Sequence, residues 1–156
     1  MKIVLLQVGK TTENYLSDGI NVYLRRLVHY ADFSVQTLPE LRNAASLSAE
    51  EQKRRDSDTI INALQPGDDV VLLDERGHSF SSPEFATFLQ KRMSASPRRL
   101  VFIIGGPYGF SDKLYQRASS LLSLSPMTFS HQMVRLFFVE QIYRAFTILR
   151  GERYHH

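Results

Sequence analysis

Apolar and polar positions along this chain follow two rhythms in alternation. Ile3–Leu6 is a short continuous apolar run, the length of a buried strand. From Thr12 to Tyr30, Leu16, Ile20, Tyr23 and Leu27 recur at helical spacing and make one apolar face. Phe33–Leu38 alternates as a strand does and is stopped by Pro39. Residues 40–47 are polar and aperiodic and predict a mobile loop. Ser48 and Glu51 have capping-box spacing, and Glu50–Arg54 and Glu51–Arg55 are favourable i,i+4 pairs on the helix they open. That helix ends at the turn Pro66-Gly67-Asp68.

The second half repeats the theme. Val70–Leu73, closed by Asp74, predicts a central strand. Ser81 and Glu84 predict a second capping box, with Pro83 in the first turn and Phe85, Phe88 and Leu89 facing inward. Leu100–Ile104 is the strongest strand signal and runs into Gly105-Gly106-Pro107-Tyr108-Gly109. Ser111 caps a short helix to about Ala118, and Leu121–Ser125 predicts a further strand. A long helix follows over His131–Arg150, with Gly151 as its stop. This alternation predicts an α/β domain over residues 1–156: a mostly parallel sheet flanked by helices.

The last helix is unusual. Twelve of the residues from His131 to Arg150 are apolar or aromatic, and on a helical wheel they cover nearly the whole circumference. Such a helix is buried on more than one side. The sheet supplies one side, and a second subunit is the simplest supplier of the other, so the pattern predicts a homodimer.

Composition narrows the chemistry. The 156 residues include no cysteine, which excludes disulfides, thiolate nucleophiles and Cys-ligated metals. No apolar run approaches the ~20 residues of a membrane span, and the N-terminal run is too short for a secretory signal. The expected location is the cytoplasm. Net charge is +3, and 14 of the 19 basic residues are Arg, the side chain suited to phosphate and stacked bases. Residues 91–117 carry Lys91, Arg92, Arg98, Arg99, Lys113 and Arg117 against the single acid Asp112. This patch reads either as a nucleic-acid footprint or as an ordinary solvated surface.

Three segments offer chemistry. The Gly105–Gly109 loop lies at the carboxyl end of a strand, where ligands bind in open α/β sheets. It matches neither a dinucleotide fingerprint nor a P-loop. Leu122–Ser130 alternates serines with apolar residues before Pro126. Such a loop offers backbone polar groups between apolar walls, as an adenine ring requires. The tail Arg150–His156 gathers Arg, Tyr and His, which bind phosphate, stack on a base and move protons. A tight turn, an edge strand with a helix cap and a disordered end are the plain structural readings of the three.

Taken together, these segments resemble the ribosomal RNA large subunit methyltransferase H family of the SPOUT superfamily. The resemblance rests on Ile103-Ile104-Gly105-Gly106-Pro107 with Gly109, Leu122 to Phe129, His131-Gln132-Met133-Val134-Arg135, Glu140-Gln141-Ile142-Tyr143-Arg144-Ala145 and Tyr154-His155. It extends over the whole length, including the Leu72-Leu73-Asp74 strand end. It implies a C-terminal trefoil knot, which the residues themselves cannot show. It also implies a homodimer with the site near the subunit interface, and S-adenosylmethionine as cofactor. The implied reaction is methylation of N3 of a pseudouridine in large-subunit (23S-type) rRNA within the assembled ribosome. Leu73, Gly105, Leu124, Ser125, Pro126, Met127, Thr128 and Phe129 match the family's cofactor contacts. The family often has proline where Ser130 and Arg153 stand; Ser130 remains a good helix cap.

For this reaction the candidate catalytic residues are His155, Tyr154 and Arg144. The imide proton at N3 must leave, so either a base removes it or a cation stabilises the anion. No metal or membrane is implied. Arg144 has a second reading, as the i,i+4 partner of Glu140. Two rival functions are a non-catalytic dimeric ribosome-binding module and a phosphate-ester hydrolase using the GGPYG loop, for which Asp74 and Glu75 are the only nearby acids.

Overall fold

The computed structural model describes residues 1–156. Its elements are β1 (Lys2–Val8), α1 (Asn14–Leu27), β2 (Asp32–Leu38), α2 (Ala49–Ala63), β3 (Asp69–Ser79), α3 (Ser82–Ser94), β4 (Arg99–Ile104), α4 (Asp112–Arg117), β5 (Ser120–Ser123) and α5 (Met133–Leu149). The strands form one sheet in the order β2-β1-β4-β3-β5, and every neighbouring pair runs parallel. The parallel sheet flanked by helices is therefore as the alternation predicts.

Side chains on a strand point alternately to opposite faces, and here both faces are buried. Ile3, Leu5, Val71, Phe102 and Leu122 join α1, α3 and α5 in one apolar core. Val4, Leu6, Leu72, Val101 and Ile103 join Ile60 of α2 and Leu114 of α4 in the other. Continuous apolar runs, rather than alternating ones, are what this double burial demands.

Local chemistry sets the helix ends. Ser81 and Glu84 close a full capping box at the start of α3, with N···O distances of 3.2 and 2.8 Å. At α2 only half of the expected box forms. The Ser48 hydroxyl accepts from the Glu51 amide, while the Glu51 carboxylate is taken by Arg54 and Arg55. Glu50 pairs with Lys53 rather than with Arg54. Helix α1 is shorter than predicted, because the chain leaves the helix after Leu27. The 40–47 loop contains one short 3₁₀ turn, Ala44–Ser46. Gly151 ends α5 as predicted, at φ +69°. Its amide donates to the Ile148 carbonyl and that of Glu152 to the Thr147 carbonyl, the Schellman pattern. That turn sends the tail back along the helix.

Most of the apolar circumference of α5 is used within the chain. Phe138, Val139, Ile142, Ala145 and Phe146 are buried in the first core. Leu136 lies against Gly19 of α1. Phe137 is the exception, 40% exposed and 4.8 Å from the Phe129 ring. Contacts with the sheet and flanking helices thus account for part of the wheel pattern.

Half of the basic patch is engaged within the fold. Arg99 forks onto Asp68 at 2.9 and 2.7 Å. Arg92 forks onto Asp69 at 3.0 and 3.2 Å. Arg117 donates to the carbonyls of Gln65 and Asp68. These pairs lie at the amino ends of β3 and β4, so half of the patch serves the fold. Burial pushes the Asp68 carboxyl upward, but the Arg99 fork and the Gln65 amide outweigh it and hold it below the usual range.

A depressed carboxyl contributes stability above its unfolded pKa of about 4 and loses it as pH falls through the native value. Arg99→Ala strands the buried Asp68 charge and should cost about 3–5 kcal/mol. Urea unfolding at pH 7 and pH 3 should show that the difference from wild type shrinks at pH 3. A constant difference would mean that Asp68 carries no charge at pH 7.

Candidate functional site

Three neighbouring strands, β4, β3 and β5, release their chains at the same edge of the sheet, and a cleft of about 700 Å³ opens there. Its walls are Gly105–Phe110 after β4, Leu73–Arg76 within β3, and most of Leu122–His131 at and after β5. Val134 of α5 and Lys53 of α2 complete it. The volume lies in the range of small-molecule and cofactor sites.

Strand β3 does not stop at Leu73 as predicted. It bulges outward over residues 74–77 and rejoins the sheet, so that Leu122 of β5 lies opposite both Leu73 and His78. The bulge brings Gly77 against the β5 backbone. A Cβ there would stand 2.6 Å from the Leu121 carbonyl carbon and from the Leu122 nitrogen. Only glycine permits this crossing. The bulge carries Asp74 into the cleft wall. Its carboxylate accepts the Tyr115 hydroxyl, the Arg76 amide at 2.8 Å and the Arg76 Nε at 3.4 Å. The Arg76 guanidinium lies 4.5 Å from the Tyr115 ring centre. Burial raises the Asp74 carboxyl, but these donors together bring it below its ordinary value. Burial and the Asp74 bond push the Tyr115 hydroxyl up.

Of the eight residues expected to contact a cofactor, Leu73, Gly105, Leu124, Ser125, Met127, Thr128 and Phe129 line the cleft. Pro126 is exposed and does not. The 124–130 loop is shaped by its own serines. Ser123 donates to the Ser125 carbonyl at 3.0 Å, and Ser125 accepts the Met127 amide at 2.9 Å. Ser130 accepts the Met133 amide at 3.1 Å and caps the start of α5. A Cβ at Gly105 would meet the Phe110 ring at 2.7 Å. The glycine therefore makes room for that ring, and the ring forms part of the floor.

The three candidate catalytic residues lie together, but outside the cleft. Arg144 donates to Glu140 at 3.1 and 2.7 Å and meets the His155 Nδ1 at 3.1 Å. The Tyr154 hydroxyl donates to the same Glu140 oxygen at 2.9 Å and lies 3.2 Å from the Tyr23 hydroxyl. Its ring packs edge-on to Tyr143 and beneath the Arg144 guanidinium. Tyr30 donates to Glu152 at 2.6 Å. The tail is thus docked on α1 and α5. Burial first, then the bonds to Tyr23 and Glu140, push the Tyr154 hydroxyl well above its usual range.

Sequence reasoning missed Arg76 and Tyr115 in the cleft, and the contacts of Tyr23 and Glu140 with the tail. Tyr115 acts on Asp74 across 41 positions, a separation that no local pattern marks. No group of three or more His, Cys, Asp or Glu is arranged to hold a metal, and no helix is long and apolar enough to cross a membrane.

The family described as "Predicted SPOUT methyltransferase" matches residues 1–155. The chain is 53% identical over 156 residues to the ribosomal RNA large subunit methyltransferase H of Parabacteroides distasonis, covering all of this chain and 99% of the relative. The protein of the same name from Christiangramia forsetii is 51% identical over the same span and coverage. A protein from Legionella pneumophila, solved with its bound cofactor SAM, shares 14% identity and a TM-score of 0.48. That alignment covers 93% of this chain and 66% of the Legionella chain.

The crossing at Gly77 is directly testable. Gly77→Ala forces a methyl group into backbone and should lower stability by about 1–3 kcal/mol, read as a lower urea midpoint at unchanged slope. A wild-type midpoint would mean that β3 and β5 part there without cost.

Proposed function

This chain belongs to the SPOUT methyltransferase family, and we propose that it transfers a methyl group from S-adenosylmethionine to N3 of a pseudouridine in large-subunit rRNA of the assembled ribosome. The observation that carries this reading is the cleft at the joined ends of β4, β3 and β5. Its apolar walls and serine-shaped backbone suit a nucleoside, and its volume suits a cofactor. The names of the relatives support rRNA as substrate, and the cytoplasm is the location this reading requires.

The residues fit the cofactor. Leu124 and Phe129 offer apolar surface to an adenine ring, and Ser125 and Thr128 line the same wall with polar groups. When bound, the sulfonium supplies an already activated methyl group. The protein's task is to align the acceptor nitrogen with it and to stabilise the charge left when the imide proton departs. The tail geometry favours the electrostatic route. With an Arg144 N–H pointing at Nδ1, neutral His155 carries its proton on Nε2 and is a donor. His155 then presents its Nε2–H to a developing anion, and Arg144, paired with Glu140, holds the imidazole in that orientation. Tyr154, held by Glu140 and Tyr23, fixes their position.

The trio lies outside the cleft of its own chain, and this supports a homodimer in which one tail serves the partner's cleft. A C-terminal trefoil knot is part of the same reading, and the crossing at Gly77 is compatible with it.

Two experiments test this proposal. Tritiated methyl incorporation into ribosomes, followed by mapping of the labelled nucleotide, should show a single site at a pseudouridine. His155→Ala should cut incorporation at least about tenfold, as loss of a positioned group does, while leaving calorimetric cofactor affinity unchanged. Ribosome binding with neither cofactor affinity nor incorporation would instead establish a non-catalytic module. Gly105→Val should push Phe110 into the cleft and weaken S-adenosylmethionine binding. Unchanged affinity would remove this floor from the site.

A further inference from the structure

Beside the cofactor cleft lies a second, smaller cavity of about 220 Å³. The two share Leu122, Ser123, Leu124 and Phe129 as a common wall. The smaller cavity is walled by aromatic rings, among them Phe80, Phe129 and Phe137. Phe129 and Phe137 keep 37% and 40% of their surface exposed. Exposed ring faces of this kind are platforms for a nucleobase.

One edge of the cavity is polar, and its polarity is fixed. The Gln141 amide nitrogen donates to the Glu140 carboxylate at 3.0 Å. A carboxylate accepts and cannot donate, so the Gln141 oxygen must face the other way, into contact with Ser82. There it accepts the Ser82 hydroxyl at 2.8 Å. Ser82 has spent its only proton on this bond. The acceptors left for a ligand are one lone pair on the Gln141 oxygen and the lone pairs of the Ser82 oxygen, beside the second N–H of the Gln141 amide. This acceptor pair asks for a hydrogen-bond donor.

Uridine and pseudouridine present the same imide edge, with N3–H between two carbonyls. They differ at one ring position. Where uridine has the apolar C5–H, pseudouridine has N1–H, because its ribose is attached through carbon. A protein that tells the two apart by base contacts has only this position to read. An acceptor pair there is satisfied by pseudouridine and left without a partner by uridine, and sites built around a required hydrogen bond discriminate strongly.

We propose that the cavity beside the cofactor cleft receives the target base, and that Ser82 and Gln141 accept its N1–H and so select pseudouridine over uridine. The inference rests on the function proposed above. Phe129 and Phe137 stack on the ring, and the shared wall at Leu124 turns N3 toward the cofactor cleft. Glu140 acts at a distance, as the residue that orients the Gln141 amide.

The test compares ribosomes carrying pseudouridine at the target with ribosomes carrying uridine there, prepared from cells that lack the pseudouridine-forming enzyme. For wild type, kcat/KM should favour pseudouridine. In the Ser82→Ala, Gln141→Leu double variant the preference should fall by about tenfold or more, mainly through the loss on pseudouridine. Cofactor affinity should not change. An unaltered preference overturns the proposal. If wild type methylates neither ribosome, the proposed function fails, and nucleoside binding still decides the cavity. Free pseudouridine titrated into the full chain with S-adenosylhomocysteine should shift the amide signals of Phe80, Ser82 and Gln141, and free uridine should shift them less. Equal shifts, or none, would overturn the assignment.

Discussion

The backbone of β5 passes so close to Gly77 that no side chain fits between them, and the architecture of the cleft depends on that passage. Because β3 bulges out over residues 74–77 and returns, β5 pairs with it on both sides of the bulge. The bulge holds Asp74 where Tyr115 and Arg76 reach it. The return brings the chain to Ser81, where a capping box opens α3. The shape of one wall and the placement of the next helix thus follow from a single backbone contact. Parallel strands carry their ligand sites at their carboxyl ends, and here three such ends are brought to one edge.

A second constraint holds the opposite side of the site. Arg135, 1% exposed, donates to the carbonyls of Val8 and Gly9 and to the Thr11 hydroxyl. A buried guanidinium is costly unless its donors are used, and its Nε has no partner. Burial lowers its pKa, and the Glu40 charge opposes that shift. The arrangement ties the first turn of α5 to the end of β1. The loop before α5, which lines the cleft, is thereby anchored at the Ser130 cap and again one turn on.

The sequence carries some of this plainly and some not at all. Strands Leu100–Ile104 and Val70–Leu73 are legible because double burial makes them continuously apolar. The stop at Gly151 and the box at Ser81 are legible because capping is local chemistry. The GGPYG and 124–130 loops are legible as neighbours because they follow strand ends, and seven of the eight residues named there line one cleft. The all-round apolar α5 suggests a subunit interface, yet Leu136 packs on α1 and Phe138 on the sheet. The patch at 91–117 suggests nucleic acid, yet Arg99 and Arg92 hold Asp68 and Asp69. In both cases a pattern along the chain does not reveal which surface another element covers. The docking of Tyr154 between Tyr23 and Glu140 is hidden for the same reason, since its partners lie 131 and 14 positions away.

The central claim is that the cleft formed by the ends of β4, β3 and β5 is a cofactor site. Adding S-adenosylhomocysteine to the isotope-labelled full chain and following backbone amide signals tests it most directly. The account predicts saturable shifts centred on residues 73–76, 105–110 and 122–131. Shifts that map instead to the amino ends of the strands, around Asp68 and Arg99, or no saturable shift at all, would contradict it.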